Sequence, residues 1–239
     1  MKLIAISDLH LPANNKKIEN FNANINISKV ISGIRSRNFD ALIILGDIAY
    51  NAPNKQSYQF CVNHLREITQ PIFCIPGNHD SWELLQQTMH KTIVNTTPNF
   101  EHNFGTVPFL FLDSSGGEID ANYVKSFLKT HEKQEVFVCA HHPIVPTQAL
   151  YMEERYALRN RHEILDLLTA HTAPVTVVSG HYHCHTEHTY HNVRQIVVPS
   201  LLYQIPLAAQ KFTIDNRFGF CELTLSNTSC AVHTEWFEH

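Results

Sequence analysis

The chain has 239 residues, of which 44% are hydrophobic, a fraction typical of globular proteins that argues against extended disorder. Its formal net charge is −4 with neutral histidines, and without a basic patch the sequence gives no electrostatic support for a nucleic-acid polymer as partner. No apolar run approaches about 18 residues, and Asp8 and His10 interrupt the first one, so we expect no signal segment. We therefore expect no membrane span and a cytoplasmic location.

Histidine and cysteine are the informative residue types in this composition. The 17 histidines suit transition metals better than calcium or magnesium. The six cysteines form no CxxC pair, so we expect reduced, structural thiols. Cys184 lies between His183 and His185, and its role stays open.

The first part of the chain alternates predicted strands and helices. Apolar runs predict strands at 2–7, 40–45 and 72–75, and helical spacing of apolar residues predicts helices near 21–37 and 55–69. Ser81 is expected to cap a short helix that follows the third strand.

Short β segments are predicted over 93–112, then a helix at 119–131, a strand at 136–140, a loop over the site at 143–152, a helix at 154–170 and a strand at 174–179. Beyond residue 185 the pattern is β, with strands at 187–190, 193–198, 209–214, 217–225 and 229–236. We expect an α/β fold in a single domain over residues 1–239. Its helices should pack outside a β core that ends in an antiparallel tail.

Five apolar runs end in side chains that commonly bind metals. The residues after these runs are Asp8 and His10, then Asp47, then Asn78, His79 and Asp80, then His141, and finally His181 and His183. The carboxyl ends of strands in an open α/β sheet gather functional groups. One shared site at a sheet edge is therefore the simplest interpretation.

The candidate metal ligands are two carboxylates, one amide and four imidazoles. They are Asp8, His10, Asp47, Asn78, His141, His181 and His183. This set is too large for one ion and suits two ions that share Asp47. Mixed nitrogen and oxygen donors favour manganese, iron or zinc. Residues two apart, such as Asp8 and His10, should point to the same side if the backbone stays extended.

The same motifs resemble the signature of the calcineurin-like metallophosphoesterases. They are Asp8-x-His10, Gly46-Asp47, Gly77-Asn78-His79-Asp80, His141 and Gly180-His181-Tyr182-His183. The resemblance implies a sandwich of two mixed β-sheets flanked by helices. It also implies one metal on Asp8, His10, Asp47 and His183 and a second on Asp47, Asn78, His141 and His181.

Further segments are similar to the class III cyclic-nucleotide phosphodiesterases. They are His141-His142-Pro143, Leu158-Arg159-Asn160, Val198-Pro199-Ser200 and Tyr203-Gln204. This resemblance implies a 3′,5′-cyclic nucleotide or similar small diester as substrate, with Asn160 on a substrate-side loop. Segment 48–58 departs from the branch because it lacks acidic residues.

In the expected reaction, a hydroxide that bridges the metals attacks phosphorus in line. Asn78 and His79 are expected to contact the substrate, and His79 to protonate the leaving oxygen or stabilise its charge. Asp80 is expected to orient the His79 ring, with a helix cap as the alternative. His142 either supports a metal ligand or is a turn residue before Pro143.

Three functions are compatible with this sequence. The first is a phosphodiesterase for cyclic nucleotides or similar small diesters, and the second is a phosphomonoesterase with the same site. The third is a scaffold that keeps the phosphoesterase fold without catalysis, which the complete ligand set disfavours. The oligomeric state stays open, with a homodimer among the options.

Overall fold

The structure is a computed structural model that describes residues 1–14, 16–226 and 229–239. Its strands are β1 (Lys2–Ile6), β2 (Ala41–Ile44), β3 (Ile72–Cys74), β4 (Phe100–Phe104), β5 (Val107–Leu112), β6 (Val136–Ala140), β7 (Val175–Ser179), β8 (Thr186–Tyr190), β9 (Val193–Val197), β10 (Arg217–Leu225) and β11 (Cys230–Glu238). Its helices are α1 (Ala23–Arg35), α2 (Lys55–Leu65), α3 (Trp82–Met89), α4 (Ala121–Thr130), α5 (Leu150–Tyr156) and α6 (Arg161–Thr169).

Two mixed sheets form the centre of the described structure. The first has the order β11–β10–β1–β2–β3, and the second has the order β4–β5–β6–β7–β9–β8. Strands β1, β2 and β3 are parallel, as are β5, β6, β7 and β9. Strands β10 and β11 are antiparallel to each other, and β10 is antiparallel to β1. The predicted architecture of two mixed sheets with flanking helices and antiparallel C-terminal strands is confirmed.

Several of the parallel strands, such as β2, β3 and β6, are apolar along their whole length because both of their faces are buried. On β1, Leu3 and Ala5 belong to the apolar cluster shared with the second sheet, which includes Phe109. Their neighbours Ile4 and Ile6 belong instead to the cluster that contains buried residues of α1 and α2. Each strand of this kind therefore reads as a continuous apolar run in the sequence.

The segment 154–170 does not form the single helix that we predicted. It divides into α5 and α6, and α5 begins within the predicted loop 143–152. At the break, the N–H of Arg159 donates to the carbonyl of Gly117 at 3.0 Å, outside any helix. This tie to a distant loop is a tertiary contact, which helical periodicity does not report.

The predicted strand at 209–214 is also wrong, because the described residues there pair with no other strand. Gln204 and Asp215 form an isolated antiparallel bridge, which closes the intervening segment into a loop. The predicted cap is confirmed, since the Ser81 side chain accepts the N–H of Leu84 at the start of α3. No helix among the described residues combines the length and apolar character needed to cross a bilayer.

Asn95 provides a test of how β3 is held, because β3 leads into the turn at residues 77–80. Its buried side chain accepts the N–H of Cys74 at 3.0 Å and donates to the carbonyls of Cys74 and Thr97 at 2.8 and 3.0 Å. Asn95→Ala leaves buried backbone groups unpaired and should lower the free energy of unfolding by about 2–4 kcal/mol. Urea denaturation measures this change.

Asn63→Ala is the matched control, because that amide is exposed and, among the described residues, accepts only a weak bond from Gln59 at 3.4 Å. It should change stability by less than about 0.5 kcal/mol. Equal stability of the two variants would contradict the account of β3.

Candidate metal centre

The predicted ligands follow the carboxyl ends of parallel strands from both sheets. Asp8, Asp47 and Asn78 follow β1, β2 and β3 of the first sheet, while His141 and His181 follow β6 and β7 of the second. Backbone hydrogen bonds join neighbouring segments, such as the N–H of Asp8 to the carbonyl of Gly46 at 3.1 Å. The site therefore lies where the strand ends of the two sheets meet.

Most of the candidate ligands have a left-handed backbone conformation. The φ angles are 54° for Asp8, 44° for His10, 52° for Asp47, 67° for His181 and 49° for His183. Non-glycine residues rarely adopt positive φ, and clusters of such residues mark functional sites. Asp8 and His10 thus share a side because of a left-handed turn, and the extended backbone that we expected there is wrong.

One group of ligand atoms combines Asp8, His10 and His183. The Nε2 atoms of the two imidazoles are 2.9 Å apart. Asp8 Oδ1 lies 3.4 Å from Nε2 of His183 and 3.8 Å from Nε2 of His10. Three donor atoms from two sheets therefore converge on one buried point.

A second group combines Asp47, His141 and His181. Asp47 Oδ2 is 3.4 Å from His141 Nε2, and the Asn78 Oδ1 atom is 3.1 Å from the same nitrogen. His181 and His183 thus belong to different groups, as the family resemblance implied. The structure brings all seven predicted ligands together.

Asp47 connects the two groups. Besides His141, its Oδ2 atom faces His10 Nε2 at 3.8 Å, and its Oδ1 atom accepts the backbone N–H of His79 at 2.9 Å. A Cβ atom on Gly77 would collide with the Asp47 side chain, so the neighbouring turn approaches it closely only because residue 77 is glycine. This position is the one that a shared ligand requires.

Two backbone carbonyls orient the imidazoles of the second group. His141 Nδ1 lies 2.7 Å from the carbonyl of Leu45, and His181 Nε2 lies 2.9 Å from the carbonyl of Tyr156. If each of these nitrogens donates its proton to the carbonyl, the other ring nitrogen keeps a lone pair for a metal. The sequence motifs gave no sign of these carbonyls, because any residue type supplies one.

The charge states at the site suit cation binding. Burial opposes ionisation of Asp8, but the His183 ring outweighs it and holds the pKa of Asp8 well below its usual range. Burial, with a neighbouring imidazole, lowers the pKa of His10 to about 3 and that of His181 to about 4. Ionised carboxylates and neutral imidazoles are the forms that bind metals.

His141 differs, because the Asp47 carboxylate overcomes burial and raises the pKa of His141 to about 9. A proton on this ring must therefore leave before Nε2 can bind a cation. The Oδ1 atom of Asp8, which faces both imidazoles of the first group, is buried without a hydrogen-bond partner in the described structure. This unpaired oxygen and the mixed nitrogen and oxygen donors fit a pair of transition-metal ions.

His79 lies beside the two groups and is partly exposed. Its Nε2 atom is 3.8 Å from Asp47 Oδ2, its side chain is 30% exposed, and its ring packs edge-on to His10 at 5.3 Å. Its nitrogen also falls in a third possible set with His10 and Asp47. Geometry alone thus allows His79 either to meet a substrate or to bind a metal.

Asp80 does not have the contact that we expected. Its carboxylate accepts the backbone N–H groups of residues 48–49 and of Gly77 at 3.0–3.1 Å. These backbone donors occupy both oxygens, so Asp80 holds two turns together and does not orient the His79 ring. The alternative role as a helix cap belongs to Ser81.

Asn160 is also placed differently from the expectation. Its side chain accepts the N–H of Ile119 at 3.1 Å and donates to the carbonyl of the same residue at 2.8 Å. This amide therefore joins α6 to the loop before α4. It does not line the cleft over the metal ligands, so the substrate-binding role of Asn160 stays a prediction that these contacts do not support.

The two open questions of the sequence have different answers. The His142 ring lies 4.1 Å from the His181 ring, and its Nδ1 atom is 2.9 Å from Ser114 Oγ, so it supports a candidate ligand. Cys184 is buried in the apolar core, and burial raises the pKa of its thiol well above the usual range. It belongs to none of the ligand groups among the described residues.

A cleft of about 220 Å³ opens over the site. Its lining includes the imidazoles of His10, His79 and His183, together with aromatic side chains. A bound molecule can therefore reach His79 and two ligands of the first group, His10 and His183, from solvent.

Comparison with known proteins agrees with this geometry. The family model described as calcineurin-like phosphoesterase matches residues 1–185. The chain is similar to the 3′,5′-cyclic adenosine monophosphate phosphodiesterase CpdA of Haemophilus influenzae, with 24% identity over 98% of this chain and 89% of the relative. It is also similar to the glycerophosphodiester phosphodiesterase GpdQ of Enterobacter lignolyticus, with 27% identity over 98% of this chain and 87% of that relative.

Among solved structures, the fold is similar to that of a dimetal phosphatase from Danio rerio. The TM-score is 0.70 at 11% sequence identity, and the match covers 98% of this chain and 95% of that one. This likeness supports the two-sheet fold.

If Asp47 is shared by two ions, its removal should change the metal content of the protein. Asp47→Ala removes an oxygen that faces both groups, so it should weaken both ions and leave well under one ion per chain at a concentration that saturates the parent. Asn78→Ala touches only the second group and should mainly empty one position. Elemental analysis after dialysis measures both.

Asp166→Ala on the exposed face of α6 is the matched control and should keep the metal content of the parent. Full metal content in Asp47→Ala would show that this residue is not the shared ligand.

Proposed function

Because the chain belongs to the calcineurin-like phosphoesterase family, we propose that it hydrolyses small phosphodiesters, with 3′,5′-cyclic nucleotides as the favoured substrates. As a member of this family it is a metal-dependent phosphoric ester hydrolase. The observation that carries the proposal is the pair of ligand groups joined by Asp47 beneath a cleft. Two relatives named as phosphodiesterases support the choice of a diester.

In this proposal Asp8, His10, Asp47 and His183 hold one ion, and Asp47, Asn78, His141 and His181 hold the other. The donor set suits manganese, iron or zinc. When bound, such a pair lowers the pKa of water toward about 7 and neutralises charge on phosphoryl oxygens.

The protein side chains bind the diester and move one proton. Asn78 is exposed at the site and turns its Oδ1 atom to His141, which leaves its amide nitrogen to donate to a phosphoryl oxygen. His79 lies in the cleft wall and donates a proton from Nε2 to the leaving oxygen. The Asp47 carboxylate accepts the backbone N–H of His79, which keeps the His79 side chain beside the reacting atoms.

That residues 1–239 form one domain is part of this proposal. It is supported by the pairing of β10, near the end of the chain, with β1 at its start. The partner is a small phosphoester, because the net charge of −4 offers a nucleic-acid polymer no attraction.

A panel of three substrates tests the proposal on manganese-reconstituted protein. The panel contains a 3′,5′-cyclic nucleotide, bis(p-nitrophenyl) phosphate and p-nitrophenyl phosphate. We expect hydrolysis of both diesters, with kcat/KM highest for the cyclic nucleotide. Activity restricted to the monoester would favour the phosphomonoesterase instead, and no activity with saturated metals would favour a scaffold.

The role of His79 makes the sharpest prediction about the reaction. His79→Ala should keep both ions, while kcat for a cyclic nucleotide falls by about 10²–10⁴ because proton donation is lost. The loss should be smaller for bis(p-nitrophenyl) phosphate, since nitrophenolate needs little protonation. The measurements are kcat on both diesters and metal content.

An equal loss on both diesters would rule out proton donation and leave only charge stabilisation. Loss of a metal would make His79 a ligand, as its set with His10 and Asp47 allows.

A further inference from the structure

A series of aromatic rings leads outward from the candidate metal ligands. The Tyr203 ring lies 5.1 Å from the His183 ring, and Phe212 lies 6.0 Å from Tyr203. Tyr151 follows at 6.2 Å from Phe212, and Tyr156 at 6.1 Å from Tyr151. We call Tyr151, Tyr156, Tyr203 and Phe212 the aromatic wall, and all four line the cleft.

The outer rings of this wall are exposed to solvent. Tyr203 is 8% exposed, whereas Phe212 is 44% and Tyr156 is 48% exposed. A single exposed apolar side chain is ordinary, but a contiguous group beside a functional cleft indicates a binding surface. Segment 206–214 and helix α5 supply these outer rings from separate parts of the chain. The rings are therefore brought together by the fold and are not adjacent merely because they are close in sequence.

The charge of the cleft restricts what can bind there. None of the described residues that line it is a lysine or arginine. The nearby Arg155 lies over the Tyr151 ring at 4.6 Å and pairs with Glu154 at 2.7 Å. A ligand with several phosphates would therefore find no free cationic side chain in the lining, whereas one phosphodiester with a flat apolar group matches it.

From these observations we propose that Tyr151, Tyr203 and Phe212 bind the planar aromatic group of the diester, a nucleobase, by stacking. The proposal rests on the phosphodiesterase function above and narrows its substrate class. Aromatic rings stack on any base because every base has a π face. A glycerol headgroup offers no such face, so the wall selects nucleoside diesters over glycerophosphodiesters.

A pair of substrates with the same reacting atoms tests the wall. One is 3′,5′-cyclic adenosine monophosphate, and the other is methyl ribofuranoside 3′,5′-cyclic phosphate, in which a methoxy group replaces the base. The parent should prefer the first in kcat/KM by about 5-fold to 100-fold, the range that stacking on one base supplies. Phe212→Leu and Tyr151→Leu should reduce this preference by lowering kcat/KM for the nucleotide alone.

Tyr190→Leu is the matched control, because that ring is 47% exposed on β8 and lies outside the cleft. It should leave the preference unchanged. Equal kcat/KM for the two diesters in the parent would overturn the inference and leave the phosphodiesterase function intact. The same holds if both wall variants lower kcat/KM equally for the two diesters.

A binding measurement separates the inference from the proposed activity. Calorimetry on metal-loaded protein compares adenosine 5′-monophosphate with ribose 5-phosphate, which lacks the base. Tighter binding of the nucleotide that Phe212→Leu abolishes supports the wall even if the parent hydrolyses neither diester, a result that would reject the proposed function. Equal affinity for both ligands overturns the inference.

Discussion

The buried carboxylate of Asp47 is the group on which the rest of the site depends. It faces the rings of His10 and His141, which follow strands of different sheets, and it fixes the turn that carries His79 through a backbone hydrogen bond of 2.9 Å. A buried charge is costly unless it is paired. The protonated His141 ring supplies that pairing without a metal, and two cations would supply it more completely. Catalytic geometry and charge balance therefore depend on the same atom.

The two-sheet architecture offsets the conformational cost of this arrangement. Left-handed conformations at five ligand positions cost about 1–3 kcal/mol each and persist only where the surrounding structure determines them. Here the strands that lead into those turns are buried on both faces, and residues just after them are joined by backbone hydrogen bonds. The rigid strand ends stabilise the strained turns. These turns direct side chains from both sheets toward one point.

Much of the site could be predicted from the sequence because each ligand follows an apolar run that ends abruptly in a polar turn. Side-chain identity and local order were sufficient to place the seven candidate ligands together. They were insufficient for Asp80 and Asn160, whose partners are backbone atoms of distant segments. The same limit applies to the carbonyls of Leu45 and Tyr156, which orient two imidazoles.

The division of the predicted helix at 154–170 has a related cause and a functional consequence. Periodicity within a segment does not reveal the contacts of residues 159–160 with the loop at 117–119. The break creates α5 as a separate helix, and α5 brings Tyr151 and Tyr156 to the cleft. The sequence pattern therefore missed a helix that forms part of the cleft wall, whereas it found the metal ligands at the base of the cleft.

Anomalous diffraction from a crystal saturated with manganese tests the central claim most directly. The account predicts two peaks per chain, one against Asp8, His10 and His183 and one against Asp47, Asn78, His141 and His181, with Asp47 touching both. A single peak at saturation, or a peak bound by His79, would contradict it.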